Sequence, residues 1–290
     1  MENLYLFNTV DGVGKGHTYI DKRNGPDKLE NTKLTLVHPF YNEQARFNRQ
    51  VEVWRNWSDY VRDRVNIIIV DDGSPNPVRN YITPEIDKLL SNFNFSIQRI
   101  KKDLKWNTPG ALNVGLVEAP TEWVLIMDSD CAFDNENMEK LLKADPESFA
   151  VYKFPRQRMG RKGDHLDNRR FLPCTMLFHR SLFLDKVGGF DEDYTGEYSG
   201  GYAFFDTDFD ERAYLFKCEN PMFIWNSVTA TEWMPSITKG EIVKRTDKDQ
   251  NVNRRLLQDK RAKRRETLDI KNPGPILRFE YEQVYKRERS

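Results

Sequence analysis

Trp123-Val124-Leu125-Ile126-Met127-Asp128-Ser129-Asp130 is the stretch that decides the fold. Five apolar residues deliver two carboxylates, one residue apart, to the end of a buried strand. Side chains alternate along a strand, so Asp128 and Asp130 are expected on the same side. Two hard anionic oxygens fixed at a strand end suit a divalent cation that keeps water and phosphate oxygens as its other ligands. The competing reading is a solvated turn with Asp as a helix cap. What surrounds the pair separates the two.

Upstream, Leu34 to Pro39 and Val65 to Val70 are apolar, β-branched runs of the kind a parallel strand shows when both faces are covered. Between them Phe47, Val51, Trp54 and Val61 recur at helical spacing. Pro84 to Ser91 reads as a helix, Phe95 to Ile100 as extended, and Pro109 to Val117 as a helix with Thr108 as its cap. Strands alternating with helices imply right-handed crossovers and a mainly parallel α/β sheet. In such sheets ligands sit beyond the carboxyl ends of the strands. Pro39, Asp72 and Asp128 each fall at such an end, so three distant segments are expected to converge on one cleft.

The remainder is less regular. Residues 1–33 read as an irregular lead-in whose Gly12-Val13-Gly14-Lys15-Gly16 lacks the spacing of a phosphate-binding loop. Ser148 to Phe154 is a further expected strand, Met159 to Asn168 a polar loop, Leu172 to His179 a strand leading to a short helix capped by Ser181, and Phe204 to Phe216 a helix opening with Asp206, Asp208 and Asp210. Lys239 to Glu266 carries eleven Lys/Arg against five Asp/Glu and is polar all round, which predicts a solvated helix or a partly ordered arm. The expected division is 34–135 as the half whose strand ends form the ligand cleft, 136–236 as the second half of the same domain, and 237–290 as a basic C-terminal extension.

Composition excludes several classes. Forty-five basic residues balance forty-five acidic ones, so no global field commits the chain to nucleic acid or membrane. Three unpaired-looking cysteines, Cys131, Cys174 and Cys218, argue against a disulfide framework or a structural zinc site and for a reducing, cytoplasmic setting. No stretch approaches the length of a membrane span, and the polar start lacks a signal-peptide layout.

The segments Leu36-Val37-His38-Pro39-Phe40-Tyr41-Asn42-Glu43, Val70-Asp71-Asp72-Gly73-Ser74, Pro109 to Gly115, Asp128-Ser129-Asp130, Gly188-Gly189-Phe190-Asp191 and Asp206-Thr207-Asp208-Phe209 with Arg212 resemble, in order, the motif string of the family 2 glycosyltransferases of GT-A fold. Each piece is common; six in that order are specific. The resemblance implies a Rossmann-like sheet and a nucleotide-diphosphate sugar donor, with a UDP-sugar first. It implies Mn2+ or Mg2+ held by Asp128 and Asp130, with Asp130 the stronger ligand and Asp128 and Ser129 close to the donor. Tyr41 would stack on the base and Asp72 accept from its edge. Pro39 and Glu43 would shape the pocket floor, and Asn107 and Asn113 would line the donor site. Asp206 would be the general base of an inverting transfer, with Asp208 and Arg212 ordering the acceptor side.

Three departures stand out. Leu112 replaces the cation often found before the Asn, leaving Lys102, Lys105 and Arg161 as unranked alternatives. Phe205 stands where a Glu usually precedes the base. No late His is available as a metal ligand, which leaves Glu232 or water. The acceptor is open between a glycan, a lipid-linked sugar and modified nucleic acid, the last through the basic segment. The rival readings are a nucleotide-sugar-binding protein without catalysis and a nucleotidyltransferase of related sheet architecture.

Overall fold

A computed structural model describes residues 4–5, 19–20, 33–144, 146, 150–159, 165–216, 222–224, 228–233, 247–267 and 274–289. In chain order the strands are Leu4–Tyr5 (β1), Tyr19–Ile20 (β2), Leu34–Phe40 (β3), Val65–Asp71 (β4), Asn94–Ile100 (β5), Trp123–Ile126 (β6), Cys131–Ala132 (β7), Val151–Met159 (β8), His165–His179 (β9), Met222–Ile224 (β10), Ala230–Trp233 (β11) and Tyr281–Arg287 (β12). The helices are Gln44–Arg55 (α1), Asp59–Arg64 (α2), Pro84–Leu90 (α3), Thr108–Glu118 (α4), Asn135–Leu142 (α5), Gly196–Ser199 (α6), Phe205–Phe216 (α7) and Asp247–Thr267 (α8). Gly12 to Gly16 and Arg161 lie outside the described residues.

One sheet runs β12-β5-β4-β3-β6-β9-β8-β11-β7, with β10 alongside β8. Its centre, β5-β4-β3-β6, is parallel as expected, with Leu34 level with both Val65 and Trp123. Both flanks bring in antiparallel pairs: β12 on β5, β9 on β6 and on β8, and β7 on β11. The sheet is therefore mixed, with the expected parallel order confined largely to β5-β4-β3-β6. The chain's direction of travel across the sheet reverses at β3, which makes the β3/β6 boundary the switch point where ligands bind.

Alternating side chains of the central strands feed two cores. Leu34, Leu36 and Phe40 of β3 pack with Phe47, Val51 and Trp54 of α1 on one face. Val37 of the same strand packs with Leu112 and Leu116 of α4, with Phe183, and with Phe205 and Phe209 of α7 on the other. α4 is buried from Pro109 to Leu116, and Gly115 lies directly against Val37, where any Cβ would collide. That close approach is why a glycine stands at position 115. Leu112 is part of the core, which explains why no cation occupies that position.

Four expectations change. Thr108 is the first residue of α4, and Asn107 is its cap position. The expected loop Met159 to Asn168 gives way from His165 onward to β9, a strand of 15 residues. The basic segment is a helix, α8, but it is docked and not solvated all round: Asn253 and Leu257 are buried and Lys260 and Arg264 half-buried, a single face at helical spacing. Nor is 237–290 an appendage, since β12 completes the edge of the main sheet against β5. Glu192, fully buried, ties this C-terminal segment down by accepting from the backbone N–H groups of Leu277 (2.7 Å) and Arg278 (3.1 Å).

Candidate functional site

The carboxyl ends of β3, β4 and β6 carry the residues singled out from the sequence. His38, near the end of β3, is buried and donates Nδ1–H to the Met127 carbonyl at 3.0 Å, because a carbonyl can only accept. This bond fixes the approach to Asp128. Burial, and to a smaller degree the charge of Arg46, lower the His38 pKa to about 4 against the pull of that hydrogen bond, so the ring is neutral at pH 7. Pro39 closes the strand and Tyr41 stands exposed beyond it, its hydroxyl donating to Asp103 at 3.3 Å. Burial and then the Asp103 charge raise the Tyr41 phenol.

At the end of β4 the two aspartates divide. Asp71 accepts from the backbone N–H of Ser74 (2.8 Å) and of Val78 (2.9 Å) and pairs with Arg99 at 3.0 Å, so it builds the turn. Asp72 is buried and accepts from Asn107 twice, from the backbone N–H at 3.2 Å and from Nδ2 at 3.0 Å. Burial pushes its carboxyl well above the usual range, with the Asn107 bonds pulling the other way. Each oxygen keeps a second lone pair, and Asn107 Oδ1 is buried without a partner. Asn113, by contrast, is fully enclosed. Its amide donates to Phe190 O (2.9 Å) and Glu192 (2.8 Å) and its oxygen accepts from Phe190 N–H (2.9 Å). In this structure Asn113 pins the Gly188-to-Asp191 turn and turns no polar atom towards a donor pocket.

At the end of β6, Ser129 Oγ donates to Glu43 Oε2 at 2.5 Å, and Arg46 bridges the pair at 3.0 Å from Glu43 and 2.8 Å from Ser129. Pro39–Glu43 and Asp128–Asp130 are thus brought together. Asp130 is about a quarter exposed; its neighbours are the Cys131 thiol at 3.4 Å and Arg46 at 3.9 Å. Such weak partners leave its oxygens suited to a hard cation. Among the described residues no group of three or more His, Cys, Asp or Glu side chains is arranged around a metal position. The donor set on offer is two carboxylates, which fits an ion that keeps water and phosphate ligands. Glu232 stands in register with Cys131 across the β11/β7 pair, one residue beyond Asp130.

α7 opens with the residues expected on the acceptor side. Asp208 is fully buried and accepts from Arg212 Nε (2.7 Å), Arg264 (2.6 Å) and the Tyr194 hydroxyl (3.3 Å). Burial raises its carboxyl, but Arg212 and Arg264 outweigh that and hold it below the ordinary range. Arg212, also fully buried, spends its other nitrogens on Val187 O (2.6 Å) and Gly189 O (2.8 Å). Asp206, two residues earlier, is partly exposed. Phe205 is core, its ring 5.7 Å from Trp106 and 5.5 Å from Phe190. Asp210 pairs with the buried Lys153 at 3.0 Å, and burial lifts its pKa to about 7.

Lys102 pairs with Glu197 at 2.7 Å, while Arg46, which the sequence motifs did not single out, is a cation beside Asp130. The signal for it was its place one helical turn after Glu43.

A doubly wound sheet with acidic and amide groups gathered at its switch point defines a nucleotide-binding α/β protein. Residues 35–211 match the model of glycosyl transferase family 2, and the chain belongs to that family. It is 23% identical over 159 residues to an uncharacterized glycosyltransferase of Haemophilus influenzae, covering 54% of this chain and 50% of the relative. Its fold is that of S. aureus TarS 1-349 in complex with UDP-GlcNAc (TM-score 0.54, 15% identity, 78% of this chain and 65% of that one). The same holds for the mannosyltransferase PcManGT from Pyrobaculum calidifontis in complex with GDP-Man and Mn2+ (TM-score 0.56, 16% identity, 75% and 61%). The chain spans half the length of the Haemophilus relative and 37% of the longer TarS chain. Among the described residues no helix is long and apolar enough to cross a membrane.

Proposed function

We propose that the chain is an inverting, metal-dependent glycosyltransferase that moves a sugar from a nucleotide-diphosphate sugar, with a UDP-sugar first, to an acceptor hydroxyl. The observation that carries this reading is where the backbone is strained. Among the described residues, the non-glycine residues with positive φ are Asn42, Trp106, Ala203, Phe204 and Leu277. Four of these five flank the candidate residues: Asn42 lies between Tyr41 and Glu43, Trp106 precedes Asn107, and Ala203–Phe204 lead into Asp206. Left-handed backbone at such residues costs about 1–3 kcal/mol each and gathers where a fold is held for function. The Trp106–Phe205 contact supports a shared cleft, since it joins the loop that holds Asp72 to the residue before Asp206.

In this reading Asp72 and Asn107 receive the base edge and Tyr41 its face, with Pro39 and Glu43 beneath. A divalent ion on Asp128 and Asp130 would neutralise the departing diphosphate. Asp206 takes the proton of the acceptor hydroxyl as its oxygen bonds to the anomeric carbon, while the bond to the diphosphate breaks on the opposite face and inverts the sugar. Asp208 is too tightly paired to act as base; with Arg212 it fixes the start of α7. The relatives' ligands, UDP, UDP-GlcNAc and GDP-Man, make UDP- and GDP-sugars the donors to try first.

Nucleotide release from a panel of UDP- and GDP-sugars with Mn2+ tests the proposal. Asp206→Asn is expected to abolish transfer with donor affinity nearly intact, because the base acts in the transition state. Turnover surviving in Asp206→Asn, or in EDTA, refutes it.

A further inference from the structure

The turn between β6 and β7 brings Ser129 and Asp130 up to Glu43, and one guanidinium stands among them. Arg46 lies 2.9 Å from Glu43 Oε1, 3.0 Å from Glu43 Oε2, 2.8 Å from Ser129 Oγ and 3.9 Å from Asp130 Oδ2. The last separation is too long for a hydrogen bond but close enough for charge to act. Its side chain is 23% exposed, so the fork is held yet reachable from the cleft. Of the cations considered from the sequence, Lys102 is tied to Glu197. A planar guanidinium with a free edge suits a diphosphate better than any lysine would.

We propose that Arg46 is a further donor-site residue, a resident cation that offsets Glu43 and Asp130 in the free protein and turns to the donor's diphosphate when a divalent ion takes over Asp130. This rests on the transferase reading above. Arg46 and the ion carry like charge and share Asp130, so each weakens the other's hold until a diphosphate arrives to neutralise both. Removing Arg46 then has opposite effects on the two ligands. A purely structural arginine, tying α1 to the turn, would weaken both together.

The test is calorimetric binding of Mn2+ alone, then of UDP and GDP at saturating Mn2+, to wild type, Arg46→Gln and Arg46→Lys, each checked for an intact fold by thermal melting. Arg46→Gln is expected to bind Mn2+ about threefold to tenfold more tightly, and the nucleoside diphosphate about tenfold more weakly. Arg46→Lys keeps the charge and is expected to stay near wild type for Mn2+ while recovering part of the nucleotide affinity. Parallel weakening of both ligands in Arg46→Gln, or nucleotide affinity unchanged from wild type, overturns the proposal and leaves the transferase reading standing. Wild-type protein that binds Mn2+ but neither nucleotide sinks both.

Discussion

Replacing Arg264 by Met removes one of the two cations that hold Asp208, and the structure sets the size of the result. Asp208 is fully buried, accepts from Arg264 at 2.6 Å and from Arg212 at 2.7 Å, and has the Tyr194 hydroxyl as third partner at 3.3 Å. One charge-assisted bond lost, with Arg212 still in place, costs about 1.5–3 kcal/mol. Arg212→Met is worse. It strips the carboxylate of its i,i+4 partner and also orphans the carbonyls of Val187 and Gly189, so about 3–5 kcal/mol is expected. Urea unfolding at pH 7 measures both. The pH dependence has a definite sign: the Asp208 pKa is held below its unfolded value, so its contribution is present above the ordinary carboxylate range and is lost as pH falls through the depressed folded pKa. The gap between wild type and Arg264→Met should therefore narrow in acid. A loss below about 0.5 kcal/mol at pH 7, the level of an ordinary surface change, would refute the docking of α8 as a stabilising contact.

Two further outcomes are expected. His38 has a pKa of about 4 folded against 6.5 unfolded, so stability is full above pH 6.5 and falls by about 3 kcal/mol as pH drops towards 4; a His38→Asn variant should lose that part of the acid sensitivity, and an unchanged pH profile would contradict the buried neutral ring. Gly73→Ala should destabilise by about 1–3 kcal/mol, since φ is +69° and the new Cβ would sit 2.5 Å from the Lys102 carbonyl oxygen; a melting temperature equal to wild type would show that the turn after Asp72 relaxes freely.

Where the sequence could be read, it was through patterns that one residue type carries alone. β4 and β6 are nearly continuous apolar runs with acids at or just beyond their ends, and such runs with abrupt ends are legible because they suit a strand buried on both faces. The start of α7 was legible for a similar reason, three aspartates at alternate positions where a helix begins. Asn113 is ambiguous in the sequence because its type suits a ligand contact equally well as a turn clamp; in the structure its amide is engaged by Phe190 and Glu192. Arg46 was passed over because a cation was sought before the Asn, where Leu112 serves the core, while the cation beside Asp130 came from another helix. β12 reads as a charged tail since an edge strand needs no apolar face of its own.

The basic segment shows why apolar periodicity can miss a docked helix. α8 has scarcely any hydrophobic stripe, yet Asn253, Leu257, Lys260 and Arg264 recur at 4, 3 and 4 residues and lie on one face. That face is matched by acids and not by oil: Lys260 meets Asp191 at 2.5 Å and Asp193 at 2.7 Å, Arg261 meets Glu211 at 2.8 Å, and Arg264 meets Asp208. Asn253 adds hydrogen bonds to the carbonyls of Tyr194 (2.8 Å) and Ala203 (3.0 Å), the latter one of the two left-handed residues that lead into Asp206. A nucleic-acid phosphate would have to displace these carboxylates to reach the inner cations, which leaves Arg254, Arg255, Lys263 and Arg265 on the exposed side. Each phosphate neutralised on duplex DNA steepens the salt slope by about 0.9, so a helix gripping DNA through these inner and outer cations together and one using only the outer ones differ by nearly a factor of two in that slope. The inner charges are spent on holding Asp191, Asp193 and the start of α7, and the case for modified DNA as acceptor weakens by that amount.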